Sequence, residues 1–301
     1  MSPYDIGRVV RRFASDARHF QIVFLGVFVS VGVVWYGFDV PFTHAIGMGI
    51  AAQATQLVCA RLFDVRFDPR SPFISTLSLC LLLRTNTLWL AVAAAVIAIA
   101  SKFLVRWQGK HVFNPTNIAI VVLVLFTDAA WVSSGQWGSE VWIAFLLAAL
   151  GGMVSYRAMR SDIALAVLAV HSAVLFGRAM WLGDPWAIPL HQLQNGTLLV
   201  FAFFMISDPK TTPNARAGRM IYAALVVSFG AWVQFGLFRP NGLLYGLAIL
   251  SPVVPILDRL LPGGRFEWKP GANEGVRKLK GDRYEHGVPS GADLPVPDAA
   301  H

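Results

Sequence analysis

Charged residues are scarce in this 301-residue chain, at 14% of the sequence, against roughly 25% in an average soluble domain. Apolar residues make up 55%. A chain with so few polar residues has too little polar surface to cover its apolar part in water, which excludes an ordinary soluble protein. The composition therefore predicts an all-α polytopic protein embedded in a membrane.

Cysteine is also scarce, and Cys59 and Cys80 both fall inside apolar runs without metal-ligand spacing. The sequence shows no HExxH or CxxC motif, no phosphate-binding glycine loop and no nucleophile–base arrangement. We therefore expect no metal site and identify no catalytic residue. The 25 Lys and Arg residues are not interleaved with aromatic residues, so no nucleic-acid partner is expected.

Ten apolar runs predict about ten transmembrane segments. Two of them, 72–84 and 197–207, cover only about 16–20 Å of a hydrocarbon core about 30 Å thick, which predicts half-spans. The first run is long, continuous and without a cleavage site, so it is interpreted as a retained span. The runs are 20–37, 44–60, 72–84, 87–105, 115–131, 140–156, 162–178, 197–207, 219–237 and 242–260.

Basic residues follow the alternation of these runs. With the N-terminus in the cytoplasm, all but three of the 25 Lys and Arg residues fall in cytoplasmic segments, the exceptions being Arg84, Arg178 and Arg239. Short cytoplasmic loops are enriched in Lys and Arg, and one missed helix would destroy this asymmetry. We therefore expect a multi-pass protein of the bacterial cytoplasmic (inner) membrane with both termini in the cytoplasm.

Matching landmarks predict an internal duplication. Short runs beginning at Thr76 and Thr197 each end in a polar break, and a long helix and an Asn/Pro-containing helix start follow in both halves. Five spans in each half make the repeat inverted, with broken half-helices. The predicted segments are a cytoplasmic N-terminal segment 1–19, a first five-helix repeat 20–131, a second 140–260 and a disordered cytoplasmic tail 262–301.

The paired breaks favour a ligand or ion site near the axis between the repeats, since lipid does not satisfy exposed backbone groups. The alternative is that Pro and Gly only kink crowded helices. Asp208 is either a ligand contact or a loop residue accepting from nearby amides, and Asn114 is a helix cap with or without a ligand role. His171 is interpreted as packed or interfacial rather than as a ligand. The candidate cofactor-binding residues are Arg84, Asn114, Pro115, Asn117, Asp208, Thr211, Thr212 and Asn241.

Two stretches carry a resemblance to a known family: SPFISTLSLCLLLRTNTLWL with GKHVFNPTNIAIVVLVLF, and NGTLLVFAFFMISDPKTTPNARAGRMIYAALVV with FRPNGLLYGLAILSPVVPILDR. Across about 70–128 and 195–260 the chain resembles the NqrB/RnfD family. Members are ten-helix membrane subunits of sodium-pumping NADH:quinone reductase and of Rnf electron-transport complexes. The resemblance implies electron transport, flavin binding, partner redox subunits in or on the membrane, and ion coupling.

Members of that family usually carry FMN esterified to the threonine of an S-G-A-T motif after the fifth helix. Here the same place reads Ser134-Gly135-Gln136-Trp137, so the acceptor hydroxyl is missing. The resemblance therefore implies a divergent member without covalent FMN, in which a non-covalent flavin (riboflavin or FMN) could sit between the repeats. Whether such a subunit is itself catalytic stays open.

Two other functions fit the sequence. Inverted repeats with half-helices are also the architecture of transporters and channels for small solutes or ions, without redox activity. A scaffold that anchors a soluble partner through the tail 262–301 is the third alternative. We expect the electron-transport subunit, because the family resemblance favours it.

Overall fold

Helices fill most of the part of the chain that the computed structural model describes, residues 16–138, 141–264 and 266. Most of the predicted N-terminal segment 1–19 and of the predicted tail 262–301 lies outside the described residues. The residues from Ala17 to Phe266 form one compact unit, with long apolar helices and only four short strands in its described part. The predicted all-helical membrane protein is confirmed.

Each of the ten predicted runs coincides with a helix. The helices are α1 (Ala17–Trp35), α2 (Phe42–Leu62), α3 (Arg70–Leu82), α4 (Leu88–Leu104), α5 (Pro115–Phe126), α6 (Val141–Arg157), α7 (Ser161–Leu182), α8 (Ala187–Leu193), α9 (Gly196–Val200), α10 (Arg216–Ala231), α11 (Gly242–Leu250) and α12 (Val253–Leu260). The strands are β1 (Leu83–Thr85), β2 (Arg106–Trp107), β3 (Lys110–His111) and β4 (Ala130–Val132). Ser134–Trp137 forms a 3-10 turn, and π-helical turns at Phe201–Met205 and Trp232–Gly236 extend α9 and α10.

The number of membrane crossings stays a prediction. Within the described residues, three helices are long and apolar enough to cross a bilayer alone: Ala17–Trp35, Ser161–Leu182 and Arg216–Gly236. A fourth span results if α11 and α12 are counted together. α3, α4, α5, α6 and the segment Gly196–Met205 are shorter apolar helices, so length does not set the half-spans predicted at 72–84 and 197–207 apart from the full spans predicted at 87–105, 115–131 and 140–156.

The structure corrects the sequence prediction at three places. The fifth run does not stay helical to residue 131: α5 ends at Phe126, and Ala130–Val132 is a strand. The tenth run is not one helix, because α11 and α12 meet at a 57° bend next to Pro252, which lacks the N–H that a continuous helix needs. The short helix α8 was missed, because its seven residues are too few for a periodic pattern.

The polar break after α3 is the strand β1, which pairs antiparallel with β4. Leu83 lies opposite Val132, and Thr85 opposite Ala130. The pairing supplies backbone partners where the helix ends, which an isolated extended segment in an apolar environment would lack. We call the end of the bundle that carries this pair the β1–β4 end, and the end that carries β2 and β3 the hairpin end.

Glycine allows two helices of the second half to touch backbone to backbone. α10 packs against α11 and α7, and a Cβ placed on Gly246 of α11 would lie 2.5 Å from the carbonyl oxygen of Val226 on α10. Small residues at such a crossing let helices associate closely in lipid. The same crossing fixes the start of α11, where the candidate residue Asn241 lies.

Gly246→Ala should therefore destabilise the protein, by about 1–3 kcal/mol as expected for overpacking. The matched control is Gly177→Ala on α7, where no atom lies within 4 Å of the added Cβ; there, alanine should stabilise the helix by about 0.5–1 kcal/mol. Thermal unfolding of both purified variants in detergent measures the difference. Equal stability of the two variants would contradict the close crossing.

Candidate functional site

The break after α9 is a compact turn built around Asp208. The backbone amide of Lys210 donates to its Oδ1 at 2.9 Å, so Asp208 has the amide partner that the loop interpretation expects. The hydroxyls of Thr211 and Thr212 donate to the Asp208 carbonyl at 3.3 and 3.0 Å. In this structure both threonines therefore close the turn.

Asp208 also faces the hairpin end through His111. Its Oδ2 lies 3.7 Å from Nε2 of His111 on β3. Burial by itself raises the pKa of this carboxyl, but the His111 contact and the Lys210 amide outweigh burial, and the pKa lies below its ordinary value. The carboxylate is thus held ionised beside an imidazole.

The hairpin itself is positioned by a tight turn. Gln108 and Gly109 both have positive φ, 47° and 75°, the backbone conformation of the turn type that favours two-residue hairpins. The turn places Lys110 against residues of the second half. Its Nζ donates to Asp258 Oδ2 at 2.9 Å and to the Thr212 carbonyl at 2.7 Å. Burial lowers the pKa of Lys110, and the Asp258 carboxylate opposes that shift.

Asp258 completes this connection from α12. Its Oδ1 accepts from the backbone amide of Asn214 at 2.7 Å, so one carboxylate joins the hairpin of the first half to the turn after α9. The sequence analysis missed Asp258, although an acidic residue within the last apolar run, near basic residues, could have indicated an ion pair.

On the other side of the turn, Arg160 donates from Nε to Thr212 Oγ1 at 3.1 Å. Burial and then the charge of Arg219 lower the pKa of Arg160 to about 10.

The Asn-Pro start of α5 joins the halves at a deeper level. Asn114 Oδ1 caps the helix by accepting from the Asn117 amide at 3.0 Å, with Pro115 at the first helical position, as predicted. Asn114 Nδ2 then donates to the carbonyl of Met205 at 3.1 Å, and Asn117 Nδ2 to that of Leu244 at 3.0 Å. The side chains of Asn114 and Asn117 therefore both donate to backbone carbonyls of the second half. Oδ1 of the buried Asn117 has no hydrogen-bond partner in the described part of the chain.

Arg84 lies far from Asp208. It follows the C-terminal end of α3, where its guanidinium donates to the carbonyls of Cys80 and Leu83 at 2.8 and 2.7 Å and to the side chain of Gln136. It is buried and lies 5.4 Å from the Phe38 ring. Its donors serve helix carbonyls and the loop after β4, so the structure does not place it with the other charged candidates.

The loop that aligns with the family's flavin attachment motif is closed by its own side chains. The indole of Trp137 is 1% exposed, donates from Nε1 to Thr197 Oγ1 at 3.2 Å and meets the Phe38 ring edge-on at 5.0 Å. Gln136 Nε2 donates to the Leu81 carbonyl at 2.6 Å. The place of the acceptor hydroxyl thus holds a buried aromatic side chain.

A cavity of about 300 Å³ opens beside Asn241, between α7, α8, α9, α10 and α11. Asn241, in the left-handed conformation at φ 61°, donates from Nδ2 to the Val132 carbonyl of the first half at 3.4 Å, which places the cavity next to the contact between the halves. No Lys, Arg, Asp or Glu is among the described residues that line it. The polar lining residues are His171, Gln192, Asn195, Thr197, Gln234 and Asn241.

His171 is the least expected of these residues. It is 6% exposed, as its interpretation as a packed histidine implies, but Nδ1 has no hydrogen-bond partner among the described residues. A buried polar atom without a partner is costly unless a water or a ligand satisfies it. The sequence did not point to His171, Gln192 or Gln234, because one polar residue on an apolar helix gives no signal of what it faces.

The eight predicted residues therefore form three groups rather than one site. Asp208, Thr211 and Thr212 form the turn near the hairpin, Asn114, Pro115 and Asn117 join α5 to the second half, and Arg84 and Asn241 lie at the β1–β4 end. Only Asn241 lines the 300 Å³ cavity. In the described residues no group of three or more His, Cys, Asp or Glu side chains could hold a metal ion.

Asp258→Asn should destabilise the folded protein by about 3–5 kcal/mol, because it leaves the Lys110 ammonium buried without its counter-charge. The control is Asp184→Asn, whose partner Arg178 lies at 3.3 Å in an exposed pair, where a change below about 1 kcal/mol is expected. Unfolding in detergent measures both. An Asp258→Asn variant as stable as the control would show that Lys110–Asp258 does not hold the halves together.

Comparison with known proteins supports the resemblance seen in the motifs. Residues 126–266 match the model of the NQR2, RnfD, RnfE family, a region that contains the Trp137 loop, the Asp208 turn and the cavity. The RnfD component of the ion-translocating oxidoreductase complex of Mannheimia succiniciproducens is 29% identical over 136 residues, covering 45% of this chain and 37% of that protein. The corresponding RnfD protein of Stutzerimonas stutzeri is 35% identical over 75 residues, covering 24% and 20%.

The RnfD protein of Escherichia coli is 29% identical over 140 residues, covering 44% of this chain and 36% of that protein. The chain thus aligns with little more than a third of the length of these relatives at most. The family match nevertheless spans both the break and the helix start that the motifs singled out. Residues 126–266, just under half of the chain, are thus similar to the NQR2, RnfD, RnfE family.

Proposed function

We propose that this chain is an RnfD-like integral membrane subunit of an ion-translocating oxidoreductase complex, in which it takes part in electron transport. Similarity to the family carries the proposal, since residues 126–266 match the family model and the similar proteins are named as subunits of such complexes. Electron flow through a membrane subunit needs donors and acceptors on either side. Other redox subunits, in the membrane or bound at its surface, are therefore its partners in this proposal.

The redox cofactor in this proposal is a non-covalent flavin, held in the cavity beside Asn241 at the contact between the halves. The volume of about 300 Å³ falls at the lower end of the range of ligand cavities. The side-chain amides of Gln192 and Gln234 offer both donors and acceptors, which suits the carbonyl and N–H edge of a flavin ring. A bound flavin would supply one- and two-electron transfer between partner subunits.

The uncharged lining favours riboflavin over FMN. A phosphate group is normally bound by Lys, Arg or helix amides, and burying it without such partners is costly. No basic side chain lines the cavity in the described part of the chain. Nδ1 of His171, which has no hydrogen-bond partner among the described residues, adds either an acceptor or, in the other tautomer, a donor to the lining of the cavity.

The flavin proposal predicts that the purified protein shows flavin absorption and that acid precipitation leaves the flavin in the supernatant. Gln192→Leu together with Gln234→Leu should lower the flavin content, by about tenfold if each lost hydrogen bond is worth 0.5–1.5 kcal/mol. The control is Gln194→Leu, two residues after Gln192 but outside the cavity lining. Flavin in the protein pellet would instead mean covalent attachment.

Transport of a small solute or ion without redox activity is the second candidate. The observation that favours it is the pair of interrupted helices, α9 with its π turn before Asp208 and α11 with its bend at Pro252. Proteoliposomes containing this chain alone would then show flux that Asp208→Ala abolishes. A preparation without flavin that shows such flux would favour transport over electron transfer.

The basic residues support a location in the bacterial inner membrane with the hairpin end in the cytoplasm. Arg18, Arg61, Arg106, Arg157 and Arg259 all lie at helix ends on the hairpin side, and short cytoplasmic loops are the ones enriched in Lys and Arg. A fluorescent protein that folds only in the cytoplasm, fused after His301, should therefore fluoresce. If that fusion does not fluoresce, and a reporter that is active only in the periplasm is active at the same position, the proposed orientation is wrong.

A further inference from the structure

A groove of about 390 Å³ runs along the outside of the hairpin end, between the hairpin and α12. Its floor is apolar, formed by Val105, Val112, Phe113, Pro255 and Ile256. Ile256 is 54% exposed and Leu260, one turn further along α12, is 70% exposed, so the floor continues into the apolar outer face of α12. In a membrane protein, such a face meets acyl chains.

Two guanidinium groups stand at the rim of this groove. Arg106 belongs to β2, directly after α4, and Arg259 lies in the last turn of α12. Arg106 Nε donates to the Lys102 carbonyl at 2.6 Å, and the Arg259 guanidinium lies 4.7 Å from the ring of Trp107. No carboxylate among the described residues pairs with either arginine, and none lines the groove.

Other basic side chains at the hairpin end do have carboxylate partners, unlike Arg106 and Arg259. Lys110 is neutralised by Asp258 at 2.9 Å, and Arg219 by Asp162 at 2.6 Å. Arg106 and Arg259 are both exposed and lie within two residues of a helix end, which is where phospholipid headgroups are expected around a membrane protein. An apolar floor with two uncompensated positive charges at its rim is complementary to an amphiphilic anion.

We propose that this groove binds an anionic phospholipid, with the phosphate between Arg106 and Arg259, the headgroup against Trp107 and one acyl chain along α12. Basic pockets between membrane helices recognise anionic headgroups, and tryptophan is enriched at the same depth. The two arginines come from different halves of the chain. The bound lipid would therefore brace the hairpin against α12 on the outside of the Lys110–Asp258 pair.

An acidic segment of a partner protein is the competing occupant, since arginine and tryptophan also dominate protein interfaces. The continuity of the groove with the exposed apolar residues of α12 favours the lipid. A soluble acidic segment would leave the exposed side chains of Ile256 and Leu260 uncovered, whereas an acyl chain would cover both.

The test uses the full-length protein in a zwitterionic detergent, with phosphatidylglycerol as the added probe and phosphatidylcholine as the comparison. Thermal shift and native mass spectrometry report the bound lipid. The double variant Arg106→Gln, Arg259→Gln should bind phosphatidylglycerol about fivefold more weakly for each arginine removed. The control Arg61→Gln, Arg66→Gln removes the same charge from exposed arginines at the hairpin end that lie outside the groove, and should bind as the unmodified protein does.

Three results would overturn the proposal. Equal weakening in the control would mean general attraction between charges, and equally tight phosphatidylcholine would mean an apolar groove without phosphate recognition. Unchanged lipid binding, with loss of a copurifying protein, would assign the groove to a protein partner. The single variant Arg259→Gln guards against misfolding, because that side chain's described contact is with the Trp107 ring alone.

Discussion

A backbone carbonyl or amide that a helix leaves open at membrane depth must find a partner inside the protein, because lipid offers none. The described helices are interrupted repeatedly, and side chains or strand pairing satisfy backbone groups at several of the interruptions. Arg84 covers the carbonyls at the end of α3, and β1 pairs with β4. The side-chain amides of Asn114 and Asn117, in the first half, donate to the carbonyls of Met205 and Leu244 in the second. The arrangement of the halves follows from these pairings.

The same constraint explains where charge is tolerated. A buried lysine or arginine needs an opposite charge or several oxygens, and the hairpin end supplies both within a short stretch of chain. Lys110 meets Asp258, and Arg219 meets Asp162. Each of these pairs bridges segments distant in sequence, so the electrostatic contacts fix the same geometry that the asparagine caps fix deeper in the bundle.

Much of this could be predicted from the sequence. The helix positions, the cap at Asn114 and the turn at Asp208 depend on local signals, namely apolar run length and the backbone limits of Pro115 and Pro209. The β1–β4 pair could not be predicted, because Ala130–Val132 is as apolar as the helix before it and only its distant partner makes it a strand. The cavity was missed for a related reason. His171 and Gln234 line it together only because α7 and α10 pack side by side, which the sequence does not show.

The replacement of the family's Ala-Thr by Gln136-Trp137 is more than the loss of one hydroxyl. Gln136 accepts from Arg84 and donates to Leu81, while Trp137 donates to Thr197 and fills the space against Gly196, where a Cβ would clash with the indole. Replacing Trp137 with threonine would thus remove a packed indole and its hydrogen bond to Thr197. The neighbouring side chains of the loop would still make the contacts that close it. The contacts of Gln136 and Trp137 close the loop with the chain's own side chains, whereas the cavity next to Asn241 is lined by uncharged side chains that keep hydrogen-bonding groups on its surface.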